Sequence, residues 1–144
     1  MDTVLVGVDG SEASGVALEF AVEEAVRRKG VLRVVSAWEF SAVPQPEMAI
    51  VPEVVEAYQE QAETLVTEAI ARAKELAPDI TCEGAAIGGY AGEVLVQEGQ
   101  TAAVLVVGRR GHGGIAGLLM GSVSRHVADH APCPVTIVPP LTNI

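Results

Sequence analysis

Ala102-Ala103-Val104-Leu105-Val106-Val107 is the most apolar run in the chain, and a glycine, Gly108, follows it directly. A short valine-rich run of this kind suits a strand buried on both faces, at the centre of a parallel sheet. Downstream, Gly108 to Met120 reads as a glycine-rich loop and Gly121 to Ala131 as the last helix. Val135 to Val138 is a last strand, stopped by Pro139-Pro140. Upstream, Tyr90 to Gln100 is a short helix, and Ile80 to Ile87 a weaker strand ended by Gly88-Gly89. A long helix from about Glu53 to Ala77 carries one stripe of Val55, Tyr58, Ala62, Leu65, Ala69 and Leu76, and Pro78 closes it.

The first third of the chain repeats the alternation. Thr3 to Val8 is a β-branched strand, and Asp9-Gly10-Ser11 ends it, with Ser11 placed to cap a helix. Ala13, Val16, Ala17, Phe20 and Ala21 give that helix its apolar spacing. Arg27, Arg28 and Lys29 before Gly30 are the expected stop signals. Val31 to Trp38 is a second strand, and Ser41 to Pro52 an irregular segment broken by Pro44, Pro46 and Pro52. The order β-α-β-α-β-α-β-α-β means an α/β fold: a single doubly wound domain, a parallel sheet with helices on both faces. Ligands of such sheets bind at the carboxyl ends of the strands, where strand order reverses.

Composition narrows the partners. With 144 residues there is room for one domain, and 49% hydrophobic residues supply a core. Nine Lys+Arg against 19 Asp+Glu leave a net charge of −10, which argues against nucleic acid as the main partner. Aromatic residues at 3% leave few stacking platforms for single strands. The longest stretch without Asp, Glu, Lys or Arg is the last fifteen residues, with four prolines, so no membrane span is expected. Met1-Asp2-Thr3 does not resemble a signal peptide, and Cys82 and Cys133 give no disulfide framework. A cytoplasmic protein is expected.

The loop after Val107 carries the chemistry. Between Gly108 and Ser124, seventeen residues hold six of the chain's 15 glycines. Glycine lets backbone N–H groups approach a phosphate closely, and the N-terminus of the following helix adds roughly half a positive charge. Ser122 and Ser124 add hydroxyls in the first helical turn. No Asp or Glu occurs from Gly99 to Ala128, while Arg109, Arg110 and Arg125 all fall there. In so acidic a protein, that window favours an anionic ligand. Other glycine motifs fit worse. A P-loop needs a lysine after its glycines, and Lys29 and Lys74, the two lysines present, lie elsewhere. Gly111 to Ala116 matches G-x-G-x-x-[GA] but follows the fourth strand, where the dinucleotide fingerprint belongs after the first. Gly108 to Gly111 has the spacing of a KH clamp, but it leaves a strand instead of joining two helices.

Gly108-x-x-Gly111, nine residues, then Gly121-Ser122, preceded by Val-Leu-Val-Val and followed by Ala-Pro-Cys-Pro-Val, resembles the universal stress proteins of the ATP-binding class. The opening Val-Leu-Val-Gly-Val-Asp-Gly-Ser agrees, so the resemblance covers essentially the whole chain. It implies a five-stranded sheet of order 3-2-1-4-5. It implies that Asp9 meets the ribose or adenine side of the nucleotide, Ala37 the adenine through its backbone, and Gly108 the ribose. Gly111, Gly121, Ser122 and Ser124 would hold the phosphates, with Val123 packing beneath. Arg109 and Arg110 stand at variable positions of the pattern, and Arg109 is carried as a candidate phosphate contact. The implied cofactors are ATP and Mg2+ held through the phosphates and water; the implied assembly is a homodimer through the C-terminal strand. AMP or a cyclic nucleotide is the alternative ligand, and a slow ATPase or phosphatase the alternative activity.

Other residues have simpler readings. Asp9 also suits a turn or a cap. His126 and His130 stand four apart, a metal-compatible spacing with no obvious further ligand except His112 or Asp129, so no metal site is expected. Cys82 and Cys133 read as packing residues. No Ser/His pair falls in an elbow or triad order, so no catalytic residue is assigned and a binding protein, not an enzyme, is expected.

Overall fold

A computed structural model describes residues 1–39, 52–110 and 120–140. Among these residues, five strands and four α-helices follow one another: β1 (Thr3–Gly7), α1 (Glu12–Arg28), β2 (Val31–Trp38), α2 (Pro52–Leu76), β3 (Thr81–Gly88), α3 (Ala91–Glu98), β4 (Val104–Gly108), α4 (Ser122–His130) and β5 (Val135–Val138). A 3-10 turn at Gly99–Thr101 joins α3 to β4. All strand pairs are parallel, in the order β3-β2-β1-β4-β5. The fold expected from the sequence is the fold observed.

The doubly wound layering follows from the two-residue period of the strands. Val4, Val6, Val104 and Val106 pack against α1 and α2, while Leu5, Leu105 and Val107 pack against α3 and α4. Val4, Leu5, Val6, Leu105 and Val106 are wholly buried, as a pair of central strands requires. The edge strand β3 is largely half-buried or exposed, which is why its sequence signal is weak.

Several local details differ from the sequence expectation, each for a physical reason. The left-handed residue that ends α1 is Lys29 (φ 53°), not Gly30. Lys29 N–H bonds to Val26 O at 3.1 Å and Gly30 N–H to Ala25 O at 2.9 Å, a Schellman closure. Gly30 is needed because a Cβ there would lie 2.2 Å from the Asp2 carbonyl oxygen. Pro52 opens α2 instead of ending the preceding segment, since its fixed φ suits a first helical position. The buried face of α2 is Ala62, Val66, Ala69 and Ala73, with Tyr58 and Leu76 exposed. Ala62 and Ala69 of the expected stripe lie on this face and Val55 and Leu65 are half-buried; Val66 and Ala73 are not in that stripe. Phe20 of α1 is likewise exposed. Gly121 and Ala131 are the caps of α4, not its first and last turns.

Candidate functional site

Strands β1 and β4 lie side by side, yet the chain leaves them in opposite directions. From β1 it crosses through α1 to β2; from β4 it crosses through α4 to β5. This reversal opens a crevice beyond the ends of the two strands. Its walls are the Val8–Ser14 turn on one side and Gly108–Arg109 with the start of α4 on the other.

The first wall is a fully bonded turn. Gly10 adopts φ 82°, which a side chain would resist. A carboxylate oxygen of Asp9 accepts from the Ser11 N–H at 2.9 Å and from the Ser11 hydroxyl at 2.5 Å. The Ser11 hydroxyl oxygen in turn caps α1 by accepting from Ser14 N–H at 3.1 Å. Ser14 closes the circuit: its hydroxyl donates to Ser11 O at 3.1 Å and accepts from Asp9 N–H at 3.3 Å. Asp9 therefore fills the turn role and stands at the crevice, where it is exposed. The sequence reading missed Ser14, whose signal was a second serine three residues after the cap.

The second wall is built around the Arg109 backbone. Its N–H donates to Val138 O at 3.0 Å, tying it to β5. Its carbonyl accepts from Gly121 N–H and from the Ser124 hydroxyl, both at 2.8 Å. The two ends of the glycine-rich loop are thus pinned together, and α4 starts at the crevice. Gly108 packs so tightly on α1 that a Cβ would lie 2.7 Å from Ala13 O. At Gly121 the backbone is extended (φ −76°, ψ 170°), and no side chain caps the helix among the described residues. Arg125 N–H takes the Gly121 carbonyl at 3.1 Å, so the N–H groups of Ser122, Val123 and Ser124 lie in the turn that has no intrahelical acceptor.

The charge around this turn is one-sided. Arg27, Arg28, Arg33 and Arg72 each pair with a carboxylate. Among the described residues, Arg109, Arg110 and Arg125 form no such pair, and the buried Nε of Arg109 has no hydrogen-bond partner. Bare helical N–H groups beside unpaired guanidinium groups can receive an anion.

Residues 1–139 match the universal stress protein family. The chain belongs to that family. A universal stress protein from Mycolicibacterium smegmatis is 36% identical over 140 residues, which is 95% of this chain and 45% of that protein. One from Mycobacterium tuberculosis is 38% identical over 134 residues, 93% of this chain and 44% of that protein. The chain therefore spans less than half the length of these curated relatives. Among solved structures, a universal stress protein in complex with cAMP is 32% identical, with a TM-score of 0.72, covering 95% of this chain and 96% of the other. A universal stress protein from Lactobacillus plantarum superimposes with a TM-score of 0.75 at 20% identity, covering 95% and 97%, and shares the fold.

Within this universal stress protein domain, the structure brings together at the strand ends Asp9, Gly108, Arg109, Gly121, Ser122, Val123 and Ser124; Gly111 lies outside the described residues. Ser122 is exposed, and Val123, partly buried, packs into the α3–α4 core. Ser124 is 2% exposed and its hydroxyl donates to the Arg109 carbonyl. What Ser124 can offer a ligand is thus its main-chain N–H. Ala37 sits late in β2, half-buried and paired with Ile87. Away from the crevice, His126 stacks on His130 with ring centroids 4.5 Å apart, and Tyr90 meets His126 edge-on. No group of three metal-ligating side chains occurs among the described residues. Burial pushes the Cys82 and Cys133 thiols up, in keeping with packing roles. No described helix is long and apolar enough to cross a membrane.

Proposed function

We propose that this universal stress protein domain binds ATP and acts as a nucleotide-dependent regulatory protein of the cytoplasm, with at most slow hydrolysis. The observation that carries the reading is the uncapped first turn of α4, held at the β1/β4 crevice by the Arg109–Gly121–Ser124 hydrogen bonds. Its free N–H groups suit phosphate oxygens. The described donor set is N–H, hydroxyl and guanidinium, with no trio of metal-ligating side chains. An accompanying Mg2+ would take its ligands from phosphate oxygens and water. Bound ATP would change the surface that this end of the sheet presents to a partner. Strand β5 is an edge strand, and we propose that it pairs with a second copy to give a homodimer.

The second reading is a cyclic nucleotide or AMP. It draws on the 32% identical universal stress protein in complex with cAMP and on a 19% identical Arabidopsis thaliana one with AMP bound. Heat-denaturing the freshly purified protein and chromatographing what is released tests both. Released ATP supports the first reading; released AMP or cyclic nucleotide supports the second. A Gly121→Ala variant, whose methyl the extended backbone tolerates, should fold and release far less; an unchanged yield would contradict the phosphate assignment.

A further inference from the structure

We infer that the Arg109 guanidinium selects nucleotides by phosphate charge, favouring a triphosphate over a cyclic monophosphate. The inference rests on the nucleotide reading above. Three main-chain hydrogen bonds fix Arg109 to β5 and to the start of α4, through Val138 O, Gly121 N–H and the Ser124 hydroxyl. The root of its side chain is therefore rigid beside the bare N–H groups of α4.

Its Nε, moreover, is buried without a hydrogen-bond partner. A guanidinium cannot lose its charge and carries donors only, so a buried N–H without an acceptor is costly. The other wholly described arginine clusters resolve this with carboxylates: Arg28 and Arg27 with Glu24, Arg33 with Glu98 and Glu83, Arg72 with Glu19 and Glu75. Arg109 has no such ion pair among the described residues, and its own stretch of chain, Gly99 to Ala128, contains no Asp or Glu. A phosphate bound at the start of α4 would supply the missing acceptor. Helix N–H groups bind any phosphate, but a fixed full positive charge weights affinity by the charge of the ligand. ATP carries several negative charges and cAMP one.

The test uses the full chain with Mg2+, as wild type, Arg109→Gln and Arg109→Lys. Titration calorimetry gives the affinity for ATP, AMP and cAMP, and thermal melting gives the stability without nucleotide. The wild type should prefer ATP. Arg109→Gln should weaken ATP by about tenfold to a hundredfold and cAMP by less than about threefold. Arg109→Lys should fall between, keeping the charge and losing the fork. The melting temperature of nucleotide-free Arg109→Gln should stay at the wild-type value, because the hydrogen bonds that tie residue 109 to β5 and α4 are main-chain and Gln keeps a polar group where Nε lies. Equal weakening of ATP and cAMP with a lowered melting temperature would mean a structural role and overturn the inference. So would an unchanged ATP-to-cAMP ratio in a wild type that binds both. A wild type that binds none of the three overturns the nucleotide reading itself, and Arg109's part with it.

Discussion

Replacing Ser124 with alanine separates two roles that look alike in the sequence. The hydroxyl is 2% exposed and lies 2.8 Å from the Arg109 carbonyl and 3.1 Å from the Gly121 carbonyl. Neither acceptor is orphaned by its loss. The Arg109 carbonyl keeps the Gly121 N–H, and the Gly121 carbonyl keeps the Arg125 N–H. The penalty is therefore that of one net hydrogen bond, about 1 kcal/mol, and not the larger cost of a buried unsatisfied group. For a chain of 144 residues this lowers the melting temperature by about 3 °C. ATP affinity should fall by less than about threefold, because the hydroxyl faces the protein and the main-chain N–H remains. Differential scanning calorimetry and titration calorimetry on the same preparation read both quantities. An unchanged melting temperature with a loss of ATP affinity beyond about tenfold would refute the reasoning, since the hydroxyl would then serve the ligand.

Ser122→Ala should do the reverse: its hydroxyl is exposed, so titration should show a loss of about 1–2 kcal/mol in ATP binding with the melting temperature unmoved. Gly108→Ala forces a methyl to 2.7 Å from the Ala13 carbonyl oxygen and should cost about 1–3 kcal/mol in urea unfolding. Gly15→Ala, in the interior of α1 with nothing within 4 Å of the new Cβ, should stabilise by about 0.5–1 kcal/mol in the same assay. Hydrogen bonds from Arg27 and then Arg28 hold the Glu24 carboxyl below its ordinary value of 4.5, against the opposing effect of burial. The stability this supplies is present above 4.5 and is lost as pH falls through the lower folded value. Denaturation from pH 7 to pH 3 should show Glu24→Gln less stable than wild type at neutral pH, the gap closing below about 4.5.

The alternation of short valine runs with helical stretches fixed the element order from the sequence, and β2 was legible to the residue because Gly30 and the change after Trp38 bound it. What escaped were positions set by tertiary approach. Ala62 and Ala69 were legible as the buried side of α2, but Val66 and Ala73 were not, and Tyr58 and Leu76 fit the helical period yet stay exposed, because periodicity alone does not rank residues by size of gap. Gly30 looked like a helix stop, but its need comes from the Asp2 carbonyl, distant from α1's own turn. At the candidate site, residue types pointed to anion chemistry and the structure supplied their arrangement. The serine hydroxyls were the exception, because which serine faces inward depends on the angle at which α4 leaves Gly121. Arg109 stood out in the sequence as charge alone; its backbone role as the anchor of α4 required coordinates.

The central claim is that the bare main-chain N–H groups at the start of α4 receive the phosphates of a nucleotide. Titration of the purified protein with ATP and Mg2+ measures it directly. Saturable binding near one nucleotide per chain, weakened by Gly121→Ala and by Ser122→Ala without loss of folding, is the predicted result. Absence of heat and of any thermal shift with every adenine nucleotide, in protein shown to carry none from purification, would contradict it.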